Sequence, residues 1–329
     1  MRKYVLRTMK PKEIKTLELN AGKFIKEKIE EISKTVGSNS AITALSGGVD
    51  SSTATLLGYK ALSKRLKVVF IDNGLMRENE PQEVASIFEE LGILVEIIDA
   101  KKQFFNALKG VTGPEQKREV VTQTFYKKIF AKLVRESGAK CLLQGTILTD
   151  IEETIAGIKR QHNVFEQLGI DPEKAFGYKI IEPLRQLRKD GVRKIAKVLG
   201  LPKSIYERMP FPGPALAARI IGEVNPERIK IIRKATAIVE EELKESGAFQ
   251  YLAILHHDRV TGIKNSKRDF GLQIEIRCWE SVDARTAAPT RLPYDILETL
   301  AKRITSEVPG VVCVTYNITS KPPSTMEAI

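Results

Sequence analysis

Apolar residues in the first half of the chain fall into short unbroken runs, separated by longer stretches in which they recur every three or four positions. The runs Ala41–Ser46, Lys67–Asp72, Leu94–Ala100 and Lys140–Thr146 read as buried strands. Between them, Ser52–Ser63, Pro81–Leu91 and Pro114–Glu136 carry helical spacing. Ahead of them, Gly22–Val36 places Phe24, Ile25, Ile29 and Ile32 on one helical face. This alternation predicts an α/β fold, a parallel twisted sheet with helices on both faces. Ligands of such sheets bind beyond the carboxyl ends of the strands.

The pattern changes at Met209–Pro214, where three prolines and a glycine exclude regular structure. Beyond it, a helix over Pro226–Ser246, strands over Tyr251–Leu255 and Leu272–Cys278, a helix over Tyr294–Glu307 and a strand over Val311–Ile318 predict a small α+β module. The expected division is an N-terminal extension over 1–21, a first domain over 22–208 and a second over 209–329.

Composition adds bounds. The 329 residues are 42% hydrophobic and 29% charged, enough apolar material for a sizeable core. No apolar run approaches the roughly 20 residues that span a bilayer, so no membrane partner is expected. The basic N-terminus lacks the apolar stretch of a secretory signal. Cys141, Cys278 and Cys313 lie far apart and form neither a CxxC pair nor a disulfide framework, so a reducing cytoplasm is the expected setting. The net charge of +12 favours anionic partners such as nucleotides, RNA or an acidic subunit; an ion-pair-rich thermophile surface explains it equally well.

Chemistry concentrates in Ser46-Gly47-Gly48-Val49-Asp50-Ser51-Ser52, between a predicted strand and a predicted helix. Two glycines let the backbone approach a phosphate with its N–H groups turned inward. The helix N-terminus adds partial positive charge, and the serine hydroxyls are further donors. A carboxylate beside phosphates requires a cation between them, so Asp50 is the expected Mg²⁺ ligand. The chain has no GxxxxGK[ST] motif, which argues against transfer of the γ-phosphoryl group. A second polar cluster, Asp72-Asn73-Gly74, ends the next strand.

The segment SGGVDSS resembles the pyrophosphate-binding loop of the N-type ATP pyrophosphatases. Further stretches resemble the GMP synthetase ATP-pyrophosphatase subunit within that family: Val69–Arg77, Leu142–Glu153, His162-Asn163, Ile181–Leu187, Val192–Pro202, Phe211–Val224, Ile304–Val311 and the tail KPPSTMEAI. The resemblance implies an adenine nucleotide alpha hydrolase-like fold followed by a dimerisation domain. It implies ATP and Mg²⁺, adenylylation of XMP at O2 with loss of pyrophosphate, and displacement of AMP by ammonia to give GMP. Asp50, Ser51 and Lys159 are the implied catalytic residues. Asp72, Gln144, Gly145 and Thr146 join the loop around ATP, while Asp150, Glu153, His162, Asn163, Arg219, Lys321, Thr325 and Glu327 are implied at XMP. A homodimer is implied. No glutamine-hydrolysing motif is present, so ammonia is expected from a separate glutaminase subunit or from free ammonium.

The chain departs from the family pattern at Lys159–Asn163, at Ala215, at Asn265–Arg268 and at Met326–Ile329. Two alternatives therefore stay open: a relative that adenylylates another acceptor, a small molecule or tRNA, and a nucleotide-binding protein without catalysis. His256 and His257 have no cysteine or carboxylate at ligand spacing and are expected to be structural.

Overall fold

Five parallel strands, β1 (Ala41–Ala44), β2 (Leu66–Asp72), β3 (Val95–Asp99), β4 (Cys141–Leu143) and β5 (Lys179–Ile181), form one sheet in the order β3-β2-β1-β4-β5. The computed structural model describes residues 10–155, 178–264, 266–282 and 284–328. The sheet belongs to a unit drawn from residues 1–72, 80–99 and 125–208. A second unit is drawn from residues 73–79, 100–124 and 209–329.

Burial explains the legible strands. In β1 and β2 nearly every residue is buried, as expected where helices cover both faces of a parallel sheet. The run Leu94–Ala100 is a correction: β3 is an edge strand with Glu96 and Ile97 exposed, and Glu96 pairs at the surface with Lys67 at 2.8 Å. The first helix, Ala21–Val36, starts at Asn20, whose side chain accepts from Lys23 N–H at 3.0 Å, and buries Phe24, Ile32 and Val36. Helix Val49–Leu62 starts three residues before the expected Ser52. It is buried almost throughout and packs closely on β4: a Cβ on Gly58 would lie 2.3 Å from Leu143 Cδ2. The helical stretch expected over Pro114–Glu136 is continuous but not uniform, since residues Thr124–Phe130 are wound as a π-helix between α-helical segments Pro114–Gln123 and Ala131–Ser137.

In the second unit, β6 (Gln250–Lys264) and β7 (Lys267–Glu280) form a long antiparallel hairpin; β8 (Ala288–Pro289) pairs antiparallel and β9 (Val311–Tyr316) parallel to β7. The hairpin strands outrun their predicted cores because their distal halves, around Arg259 and Arg268, are exposed and mix charged residues with exposed Ile263 and Phe270. Helix Pro226–Leu243 is capped by Asn225, which accepts from Arg228 N–H at 2.9 Å, and buries Ile229, Ile232, Ile238, Val239 and Leu243. Helix Tyr294–Glu307 matches its prediction, and Arg303 pairs with Glu241 and Glu242 of the preceding helix. Among the described residues no helix is long and apolar enough to cross a membrane.

Candidate active site

Strand order reverses between β1 and β4, which opens a crevice at their carboxyl ends. Ser46–Ser52 occupies it. Gly47 has φ +76°, and a Cβ there would fall 2.8 Å from Val84 Cγ2 and 2.9 Å from Arg208 Nη1, so conformation and space both require glycine. Gly48 is the extended cap of helix Val49–Leu62 and offers no side chain to the first helical amides. Those amides have no intrahelical acceptor, so the loop presents main-chain donors backed by the positive end of a 14-residue helix.

Hydroxyls fix the turn. Ser51 Oγ donates to the Gly48 carbonyl at 3.1 Å and accepts from Ser46 N–H at 3.2 Å. With the Ser51 proton so used, Ser46 Oγ donates across the 2.8 Å contact to Ser51 Oγ and accepts from Gly48 N–H at 3.4 Å. Ser52 Oγ is buried with no hydrogen-bond partner among the described residues. From outside, Arg208 Nη1 donates to the Gly47 carbonyl at 3.2 Å, and its Nη2 pairs at 2.6 Å with the buried Glu80.

Asp50 stands in the first helical turn, a favourable place for a carboxylate, and accepts a 2.6 Å hydrogen bond from Lys189 Nζ. Lys189 opens helix Lys189–Leu199, and the preceding Arg188 is held by Glu152 at 2.9 Å through each of two nitrogens and by Glu13 at 3.0 Å. Hydrogen bonds from Arg188 and then Lys10 keep the Glu152 carboxyl below the usual range. A metal at Asp50 fits the habit of Mg²⁺, which takes one or two carboxylates and completes its shell with phosphates and water. No group of three or more His, Cys, Asp or Glu among the described residues forms an all-protein cage.

The end of β4 closes the crevice. A Cβ on Gly145 would lie 2.8 Å from both Asp50 C and Ser51 N, so this glycine lets β4 run against the loop backbone. Gln144 N–H joins Ile181 O at 2.9 Å, and Thr146 is buried with no partner for its hydroxyl among the described residues. Asp150 is buried and accepts from Ile147 N–H at 3.1 Å, which starts helix Leu148–Ile155. Burial, then the Asp150 charge, push the Tyr126 hydroxyl up to about 12 despite its hydrogen bond with Gln144. Asp72 is the buried last residue of β2, and Glu153 is half-buried.

The remaining site candidates lie in the second unit, apart from Lys159, His162 and Asn163, which fall outside the described residues. The guanidinium of Arg219, 1% exposed, binds both carboxylate oxygens of Glu327 at 3.1 Å, and Gln250 Nε2 donates to the same carboxylate at 2.8 Å. Arg219 lies 4.9 Å and Arg77 4.0 Å from the ring centre of Phe211. Arg219 Nη1 is buried and has no hydrogen-bond partner among the described residues. Thr325 Oγ1 donates to Glu327 O at 2.7 Å, and Lys321 Nζ to Ala284 O at 2.7 Å. Arg219, Thr325 and Glu327 thus form one cluster, while Lys321 is held on a neighbouring carbonyl. His256 Nε2 lies 2.8 Å from Glu275 Oε2, a carboxylate partner that the local sequence spacing did not announce.

Sequence reasoning missed Lys189, Arg208, Glu80, Arg77 and Gln250. Lys189 sits between two quoted stretches, Ile181–Leu187 and Val192–Pro202, and Arg208 directly precedes the proline break. A basic residue outside a motif carries no local sign of what it will touch.

Comparisons with known proteins place the chain among sequence families. The PP-loop domain family matches residues 22–202, and the family described as GMP synthase C terminal domain matches residues 237–328. The chain is 48% identical over 312 residues to a subunit of the glutamine-hydrolyzing GMP synthase of Pyrococcus abyssi, covering 94% of this chain and 99% of that one. It is 50% identical over 309 residues to the corresponding subunit from Archaeoglobus fulgidus, covering 94% and 99%. It is 46% identical over 310 residues to that of Methanocaldococcus jannaschii, covering 93% and 98%.

Proposed function

We propose a reaction from one premise: this chain belongs to the GMP synthase family, in the subunit that joins a PP-loop domain to a GMP synthase C-terminal domain. The reaction is ATP-dependent amination of XMP. The O2 oxygen of XMP attacks the α-phosphorus of ATP, pyrophosphate leaves, and ammonia displaces AMP from C2 to give GMP. The carrying observation is the glycine-capped start of helix Val49–Leu62, whose first turn follows β1 where strand order reverses and whose amides have no intrahelical acceptor.

In this reading the first-turn amides and the Ser52 hydroxyl hold the β- and γ-phosphates that depart together, on a turn braced by the hydroxyls of Ser46 and Ser51. Donors already in place need no reorganisation as charge develops on the leaving group. Asp50 holds Mg²⁺, which neutralises phosphate charge when bound. Lys189 orients that carboxylate and adds a positive charge beside it. Arg208 keeps the Gly47 carbonyl turned away from the amide side of the loop. Asp72, Gln144, Gly145 and Thr146 border ATP. Asp150 and Glu153, with Lys159, His162 and Asn163, are assigned to the reacting centre and its cover.

On the second unit, Arg219 Nη1, without a hydrogen-bond partner among the described residues, supports a role for this cluster in recognising the acceptor nucleotide. Lys321 is assigned to its phosphate and Glu327, with Thr325, to its base or ribose. The relatives are each one subunit of a glutamine-hydrolyzing enzyme, which supports a separate glutamine-hydrolysing subunit as the ammonia donor. A homodimer through the second unit and a cytoplasmic location complete the reading. Incubation with ATP, Mg²⁺, XMP and ammonium is expected to yield AMP, pyrophosphate and GMP in equal amounts. ADP and orthophosphate, or ATP consumption without GMP, would overturn it.

A further inference from the structure

The C-terminal segment from Lys321 onward is fastened to the second unit at successive points. Lys321 exchanges two backbone hydrogen bonds with Ala287, at 2.8 and 3.1 Å. Met326 enters a buried apolar cluster with Leu252, Ile254, Trp279 and Ala287. Three consecutive carbonyls are then taken by two side chains of β7. Arg277 Nη1 donates to Thr325 O at 2.7 Å and Glu327 O at 3.2 Å, and Trp279 Nε1 donates to Met326 O at 3.2 Å. Residues two apart on a strand share a face, so Glu275, Arg277 and Trp279 project together. Gln250 pairs directly with Trp279 across the hairpin, which puts the second ligand of the Glu327 carboxylate on the same face.

Arg277 is itself held. Its Nε donates to Glu275 Oε1 at 2.6 Å, and the other oxygen of Glu275 meets His256 Nε2 at 2.8 Å. Burial alone would raise the Glu275 carboxyl, but the hydrogen bonds from His256 and Arg277 leave it lowered, so it stays anionic beside the guanidinium. A fork fixed at one edge by a carboxylate presents its other edge in one orientation.

Resting on the reading that Glu327 contacts the acceptor, we infer that Arg277, fixed by Glu275, is the positioning residue that sets where Glu327 stands. Its donors hold the backbone on both sides of Met326, so the Glu327 side chain leaves the chain at a defined point toward Arg219 and Gln250. Arg277 does not touch the reacting atoms; its effect passes entirely through the tail.

The test uses the full chain and its single tryptophan, Trp279, whose indole N–H is bonded to the tail itself. In Arg277→Met the emission of Trp279 is expected to shift to the red as Met326 leaves the cluster. The KM for XMP should rise by about tenfold, while the KM for ATP stays within about twofold. Arg277→Lys, which keeps the charge but loses the fork, should fall between the two. Glu275→Gln supplies the same comparison if Arg277→Met does not fold. Unchanged emission, an unchanged KM for XMP, or equal rises in both KM values would overturn the inference. A wild-type chain that makes no GMP would sink the proposed function, yet the emission shift would still decide whether Arg277 clamps the tail.

Discussion

Gly145 and Asp50 are far apart in sequence, yet a single methyl group decides whether they coexist. Gly145→Ala places a carbon 2.8 Å from the backbone of Asp50 and Ser51, so the loop must move. Displacement of donors by about an ångström is expected to lower the rate of pyrophosphate release by about a hundredfold, and the backbone clash to lower stability by about 1–3 kcal/mol. Lys189→Met tests a different dependence. Its ion pair with Asp50 is 44% and 24% exposed at the two side chains, so loss should change stability by less than about 1 kcal/mol. The KM for Mg·ATP should nevertheless rise, because the carboxylate loses its orientation; an unchanged KM would remove Lys189 from the site. The loop was legible because glycine and serine between a strand and a helix have a mechanism attached to their order. Lys189, Arg208 and Gln250 were not, because their partners lie far along the chain and only the folded sheet or hairpin brings them together.

At the level of elements, legibility followed burial. Strands β1 and β2 are covered on both faces and appear as apolar runs, and helix Tyr294–Glu307 shows its apolar face at regular spacing. Strand β5 has three residues and helix Leu148–Ile155 eight, too few for a period to declare itself. The distal hairpin of β6 and β7 faces solvent, so its residues carry no burial signal. Helix Ala21–Val36 offers a clean measurement of what a terminus contributes. Asn20→Ala removes the acceptor of Lys23 N–H, and stability in urea should fall by about 1 kcal/mol. A far smaller change would mean that solvent satisfies this end.

For the molecule as a whole, one buried cation ties folding to pH. Lys117 is fully buried, donates to Ile220 O at 2.6 Å, and burial with the charge of Arg228 pushes its ammonium down to about 8. In the unfolded chain it keeps its proton until 10.5, so between these values the unfolded state binds more protons and stability rises with pH. Relative to Lys117→Met, the wild type should gain at most about 3 kcal/mol from pH 8 to 10.5, read from denaturant midpoints. A parallel pH dependence in the two proteins would contradict the burial of a charge. The division expected at 208/209 rests on prolines that are easy to see in the sequence. The assignment of residues 73–79 and 100–124 to the second unit was not visible, because no composition change marks them. Those two excursions constrain heredity. The backbone passes between units at 72/73, 79/80, 99/100, 124/125 and 208/209, so recombination at any one junction with a relative's gene would splice ribbons of one ancestor into the core of the other. After a crossover at 124/125 or 208/209, Leu75, Phe104 and Leu108, all buried, would meet foreign neighbours, and only exchange of the whole reading frame keeps both units' lineages intact.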